Sequence, residues 1–173
     1  MRTLAWIPLA LLAVPSCVTD VRPLRVASGL EPDLPVAQLA DAEMRSLCGA
    51  WVDYAELALY GRGWAHDSCN LLALDQPTPR ECIEARARCE EELGDICASA
   101  HAVPECDPAL TVAEYERCGT AFIDGMAEAD LRCGIAGDED AIAAARARAL
   151  RIPPGCDLLN TRACALFAPA SEP

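Results

Sequence analysis

The chain has 173 residues, with 14 arginines, no lysine and 27 Asp plus Glu, for a net charge of −13 near neutrality. That balance excludes a phosphate-gripping nucleic-acid binder, because such contacts need clustered cationic side chains and the arginines here form no run. Eleven cysteines against only eight aromatic residues point to a domain held by cross-links in an oxidising compartment rather than by a large aromatic core.

The first element is an export signal. Arg2 precedes the apolar run Leu4 to Val14, and Pro15, Ser16 and Cys17 follow it, so residues 1–16 have the n-region, h-region and small-residue order of a cleaved leader. The run is too short to span a bilayer, which takes roughly 20 apolar residues, and Pro8 and Pro15 further disfavour a retained helix. Val14-Pro15-Ser16-Cys17 resembles the lipobox of bacterial lipoproteins, in which the cysteine is thioether-linked to diacylglycerol and becomes the mature N-terminus. The resemblance implies lipidation of Cys17, attachment to a membrane through that N-terminal lipid and, with Val18 rather than an acid next in line, the outer membrane as the destination. The cysteine count agrees, since ten cysteines can pair and one is left over. Cleavage leaves 13 arginines against 27 acids, a net charge of −14, so attachment must come from acyl chains and not from anionic lipid.

Residues 17–35 contain Pro23, Gly29, Pro32 and Pro35 without a sustained period and read as a lipid-anchored flexible tether. A disulfide-stapled helical domain is expected over 36–167, followed by a disordered tail over 168–173. Within it, Leu39, Leu47, Ala50, Trp51, Tyr54 and Leu57 form one stripe of a long first helix from Val36 to Leu59. Gly61-Arg62-Gly63-Trp64 reads as a turn.

The second helix opens at Thr78-Pro79-Arg80-Glu81, with Thr as cap, Pro in the first turn and Glu81 reaching back as a capping box. Its inward line is Cys82, Ala85, Cys89, Leu93 and Ile96. The third opens with a second capping box at Thr111-Val112-Ala113-Glu114 and turns Tyr115, Cys118, Phe122, Met126 and Ala129 to the core. The fourth, Asp138 to Arg151, has acids in its first turn and arginines in its last, matching both poles of the helix dipole. A short helical turn fits Asn160 to Phe167. No segment alternates apolar and polar residues, so the fold class is all-α, a small disulfide-rich domain of about four helices.

Cys48, Cys69, Cys82, Cys89, Cys97, Cys106, Cys118, Cys133, Cys156 and Cys164 are assigned to disulfides. None stands in C-x-x-C spacing, which removes zinc ribbons, thioredoxin-like pairs and c-type haem, and no cofactor is expected. Cys82 and Cys89 lie about 10 Å apart along one helix and cannot bond each other. An antiparallel hairpin of the second and third helices about residue 102 would favour Cys97 with Cys106 and Cys89 with Cys118. Cys156 and Cys164 would close locally across a loop.

The stretch Asp107-Pro108-Ala109-Leu110-Thr111-Val112-Ala113-Glu114-Tyr115-Glu116-Arg117-Cys118 resembles the cysteine-rich predicted lipoproteins of unknown function found in myxobacteria. The likeness covers the signal and roughly residues 79 to 133. It implies a shared architecture and carries no activity.

His66-Asp67, with Asp53, Tyr54 and Ser68 nearby in sequence, has the residue types of an acid–base cluster. His101 lies 35 residues further on in a predicted turn, so a two-histidine metal site would require the fold to join them. Asp138-Glu139-Asp140 is explained by a helix N-terminus and Glu90-Glu91-Glu92 by a solvated face. The expectation is a non-enzymatic envelope lipoprotein that binds or supports a protein or glycan partner. The alternative is an extracytoplasmic enzyme or metal-binding protein using His66 and Asp67.

Overall fold

The computed structural model describes residues 25–101, 106–107 and 109–157. Five α-helices account for most of them: α1 (Asp41–Ala58), α2 (Gly63–Ala73), α3 (Pro79–Leu93), α4 (Val112–Ala127) and α5 (Glu139–Ala149). Single 3-10 turns occupy Val36–Gln38 and Cys133–Ile135. Among the described residues the only β pairing is one antiparallel bridge, Pro35 with Thr111, so the domain is all-α and disulfide-rich.

Local chemistry sets the helix starts. At α4 the capping box is complete: Glu114 N–H donates to Thr111 Oγ1 at 3.3 Å and Thr111 N–H donates to Glu114 Oε2 at 3.1 Å. At α5 Asp138 Oδ1 accepts from Ala141 N–H at 3.0 Å. At α3 Thr78 Oγ1 accepts from Glu81 N–H at 3.3 Å behind Pro79, while the Glu81 carboxylate takes the Thr78 hydroxyl at 2.7 Å and not its backbone amide. The expected box there is therefore only half formed. The first helix also starts later than its apolar stripe suggests. Leu39 and Ala40 are extended, and Ala40 N–H donates to Glu43 Oε2 at 2.8 Å, marking the true N-terminus.

The core lies between α1 and α4, with α2 closing one side. Trp51 packs on Tyr115 with ring centroids 5.4 Å apart and meets Trp64 edge-on at 6.3 Å, and Trp64 meets Phe122 at 6.1 Å. Four of the eight aromatic residues thus make one chain linking α1, α2 and α4. Met44, Leu47, Leu59, Leu74, Ile123 and Leu131 fill the space around it, each under 2% exposed. α1 and α4 run in the same direction, since Ser46 sits level with Ser28 and Glu116, Trp51 with Gly119, and Tyr54 with Asp124.

Three further expectations are corrected. Gly61 to Trp64 is a turn only as far as Arg62, because Gly63 already begins α2, an 11-residue helix. The α3–α4 hairpin does not form: α3 packs on α2, and α4 packs on α1 and α5. Hairpin geometry holds for helices joined by a few residues, whereas the connection from Gly94 to Thr111 is long enough to let them part. α3 is in consequence a peripheral helix on which only Cys82 is fully buried, with Leu93 37% exposed.

The third correction concerns the tether. From residue 25 the chain is seated on α4: Val26 is fully buried and its N–H donates to Thr120 Oγ1 at 2.9 Å. Ser28 donates to Glu116 Oε1 from both N–H, at 2.7 Å, and Oγ, at 2.6 Å. Val36 N–H reaches Leu110 O at 2.8 Å, and Val112 N–H reaches Leu34 O at 2.9 Å. Prolines keep the segment extended, and an extended strap satisfies its backbone on a neighbour as readily as in water. Residues 17–24, the 158–167 end of the domain and the tail at 168–173 lie outside the described residues.

Candidate functional site

Two features hold chemistry-bearing side chains: the disulfide lattice and the seam between α2 and α3. All nine described cysteines are disulfide-bonded. Cys48 pairs with Cys97, Cys69 with Cys89, Cys82 with Cys133 and Cys118 with Cys156, at Cα separations of 5.4–5.6 Å. These pairings replace Cys97 with Cys106, Cys89 with Cys118, and Cys156 with Cys164. The physical reason is the missing hairpin: with α3 on α2, Cys89 faces Cys69, and Cys97 beyond the end of α3 meets Cys48 of α1. Cys156 is drawn to Cys118 by the return of the chain after α5 to α4, where Arg117 donates to Gly155 O at 3.2 Å and approaches Cys156 Sγ at 3.6 Å. Cys17 and Cys164 are outside the described residues.

The α2–α3 seam carries His66 and Asp67. His66 Nδ1 lies 2.9 Å from Glu90 Oε1, and Arg86 Nε lies 3.4 Å from the same oxygen. Neither is a hydrogen bond, since Glu90 Oε1 and Arg86 Nε have none; the arginine contact is an ion pair, and the histidine contact is one only when the imidazole is protonated. Asp67, one residue on, is turned about 100° round the helix and faces the interior. It is fully buried, and neither carboxylate oxygen accepts a hydrogen bond. Arg62 lies 3.5 Å from it as a charge partner. Burial pushes the Asp67 carboxyl above the ordinary carboxylate range, and Arg62 and His66 pull the other way.

Adjacent positions on a helix do not face each other, and here they separate the two candidate residues. His66 sits half-buried against α3, and Asp67 is closed off from solvent. The neighbours expected from sequence disperse as well. Asp53 is exposed on α1. Tyr54 turns to α4 and donates its hydroxyl to Asp124 Oδ1 at 2.7 Å, and desolvation together with that carboxylate pushes its phenol up to about 12. His101 is exposed, with Nδ1 2.9 Å from Ser99 O. Among the described residues no three His, Cys, Asp or Glu side chains converge as a metal-binding group. Chemically, the seam can hold two helices together and strain a buried acid.

Sequence reasoning missed the second buried polar residue, Asn70, whose Oδ1 touches Cys133 Sγ at 3.5 Å, a contact and not a hydrogen bond because a disulfide sulfur carries no proton. It also missed a shallow groove of about 310 Å³ between the N-terminal strap and α4, lined by Arg25, Pro32, Glu116, Arg117, Thr120 and Asp124. Helical period on α2 could have revealed the first. The second depends on the strap lying on α4, which no local pattern announces.

No protein-family model, curated protein or solved structure matches this chain.

Proposed function

We propose that this protein is a non-enzymatic envelope lipoprotein: a disulfide-stapled helical domain held at the outer membrane by acyl chains on Cys17, serving as a binding or structural module for a protein or glycan partner. One observation carries the reading. Nine of the eleven cysteines are bonded, eight of them to one another, so Cys106 must pair with one of the remaining two and a single sulfur is left over. Cys17, next to the apolar leader run in the lipobox-like Val14 to Cys17, is the sulfur for which the sequence supplies a separate use. The paired thiols are compatible with the oxidising side of a membrane.

The fold also shortens the leash. Because residues 25–35 are part of the domain, only residues 18–24 separate Cys17 from it, a reach of about 25 Å at full extension. The module therefore works at the membrane surface and meets partners there. His66 and Asp67, the residues of the alternative enzymatic or metal-binding reading, are held in helix packing, with Asp67 shut away from any ligand.

Intact mass of the native mature protein, before and after reduction, is the test. The expected result is a mass increment of a diacylglyceryl group and a further acyl chain on the peptide beginning at Cys17, plus ten hydrogens gained on reduction of five bridges. A mass equal to an unmodified N-terminal cysteine would overturn the anchor.

A further inference from the structure

We infer that the end of the domain carrying the α1–α2 turn faces the bilayer and seats Tyr60 in the phospholipid headgroup region, an orientation that rests on the anchor proposed above. Tyr60 is the residue whose conformation most needs explaining. It has φ +56°, the only described non-glycine residue in the left-handed region. The turn it occupies is a complete Schellman motif: Gly61 N–H bonds Glu56 O at 2.7 Å and Tyr60 N–H bonds Leu57 O at 3.3 Å. Tyr60 stands at the position of that motif where glycine is usual and a Cβ is costly.

The cost is not recovered inside the domain. Tyr60 is 85% exposed, the most exposed of the large apolar side chains described, and Leu57, one turn earlier, is 38% exposed. The turn that displays them is rigid. Gly61 and Gly63 both have positive φ, Arg62 Nε donates to Leu59 O at 3.2 Å, and the Arg62 guanidinium is held by buried Asp67. A strained, exposed aromatic on an over-determined turn points to a contact outside the molecule.

The course of the chain says what that contact is. Running back from Ser28 at Glu116 to Val26 at Thr120, the strap climbs α4 toward its C-terminus, and Arg25 lines the same groove as Asp124. α1 climbs in parallel, with Tyr54 at Asp124, and Tyr60 follows about 9 Å further on. The described chain therefore begins, at Arg25, toward the end that carries Tyr60, and with only seven residues between it and Cys17 that end stays close to the lipid. Tyrosine partitions to the membrane–water interface because its ring is apolar and its hydroxyl polar. Arg25, where the described chain begins, carries a charge that suits headgroup phosphates, while exposed Asp53 and Glu56 on α1 disfavour a strongly anionic surface. The occupant is a largely zwitterionic phospholipid interface.

The acylated mature chain beginning at Cys17, reconstituted in phosphatidylcholine vesicles containing lipid brominated high on its acyl chains, tests this. Tyr60→Trp should be quenched about twofold more than wild type, whose Trp51 and Trp64 are buried or half-buried. Vesicles should also slow hydrogen exchange at residues 57–62 in wild type and not in Tyr60→Gly, although Tyr60→Gly resists unfolding better. Equal quenching in wild type and Tyr60→Trp, or no vesicle-dependent protection at 57–62, would overturn the orientation, including the case in which a protein partner alone protects the turn. A second arm uses Cys17→Ser with an N-terminal hexahistidine on nickel-chelating vesicles. Quenching there, with native Cys17 found unmodified, would keep the orientation and remove the acyl anchor; mass confirming the acyl group with no quenching would do the reverse.

Discussion

Gly119 lies against the indole of Trp51, and any Cβ built at position 119 would overlap the ring. The missing side chain is what lets α4 approach α1 closely enough for Trp51 to reach Tyr115 on one side and Trp64 on the other. Gly119→Ala should therefore cost about 1–3 kcal/mol, the range for an overpacked core, despite alanine's better helix propensity. Chemical denaturation with an unchanged m-value would check it. Gly125 on the same helix has open space at its Cβ, so Gly125→Ala should be neutral or mildly stabilising and serves as the control.

Asp67→Asn removes a buried charge that accepts no hydrogen bond. The folded-state pKa is raised, so the folded protein binds this proton more tightly than the unfolded chain, and stability falls as pH rises from the ordinary carboxylate range through the elevated value. Asp67→Asn should stabilise by on the order of 1 kcal/mol near neutral pH and by nothing below the unfolded pKa. Thermal midpoints measured at both pH values should diverge from wild type only at the higher one.

Tyr54 gives a second pH signature. Its phenol is raised to about 12, so the folded state keeps the proton where the unfolded chain would release it, and stability declines between the ordinary tyrosine pKa of about 10 and that higher value. Tyr54→Phe should lose about 1 kcal/mol at neutral pH, the worth of one hydrogen bond, and should remove this alkaline step. Equal alkaline profiles for the two proteins would exclude the Tyr54 phenol, raised first by desolvation and then by Asp124, as the origin of that step.

The bridges should differ in worth. Cys82–Cys133 spans 51 residues and Cys69–Cys89 spans 20. By loop entropy alone, removing the longer bridge by paired alanine substitution should cost ~0.8 kcal/mol more than removing the shorter. Full reduction should unfold the domain, because five bridges at about 2–4 kcal/mol each match the stability of a domain this size. Circular dichroism with and without dithiothreitol reports both.

Counting also predicts a bond. Cys106 is bonded and every other described cysteine already has a described partner. If Cys17 carries lipid, non-reducing peptide mapping should recover Cys106 joined to Cys164. Recovery of Cys106 joined to Cys17 would refute both that bridge and the anchor.

Helix starts were legible in short words such as Thr111 to Glu114 and Thr78 to Glu81, because a cap and the amides it satisfies lie within four residues of each other. The core stripe of α4 was legible for the same local reason. α2 was not: it opens on Gly63, two residues after Gly61, has no capping side chain at Arg62, and takes its stability from Trp64 and Cys69 contacts that are invisible along the chain. The strap at 25–35 carried the composition of a linker, and only its docking on Thr120 and Glu116 distinguishes it from one.

The candidate site followed the same division. His66 and Asp67 looked like partners because they are neighbours in sequence, and helical rotation sends one to Glu90 and the other into the core. By itself, the order of residues determined an all-helical, cross-linked domain with capped helix starts, since periodicity, capping and cysteine parity are properties of short range or of simple number. Tertiary structure alone decided which sulfurs meet, how short the leash is and which end of the domain it leaves from. Those outcomes depend on which helices choose each other across long connections, where the energy differences are set by packing that no window of sequence contains.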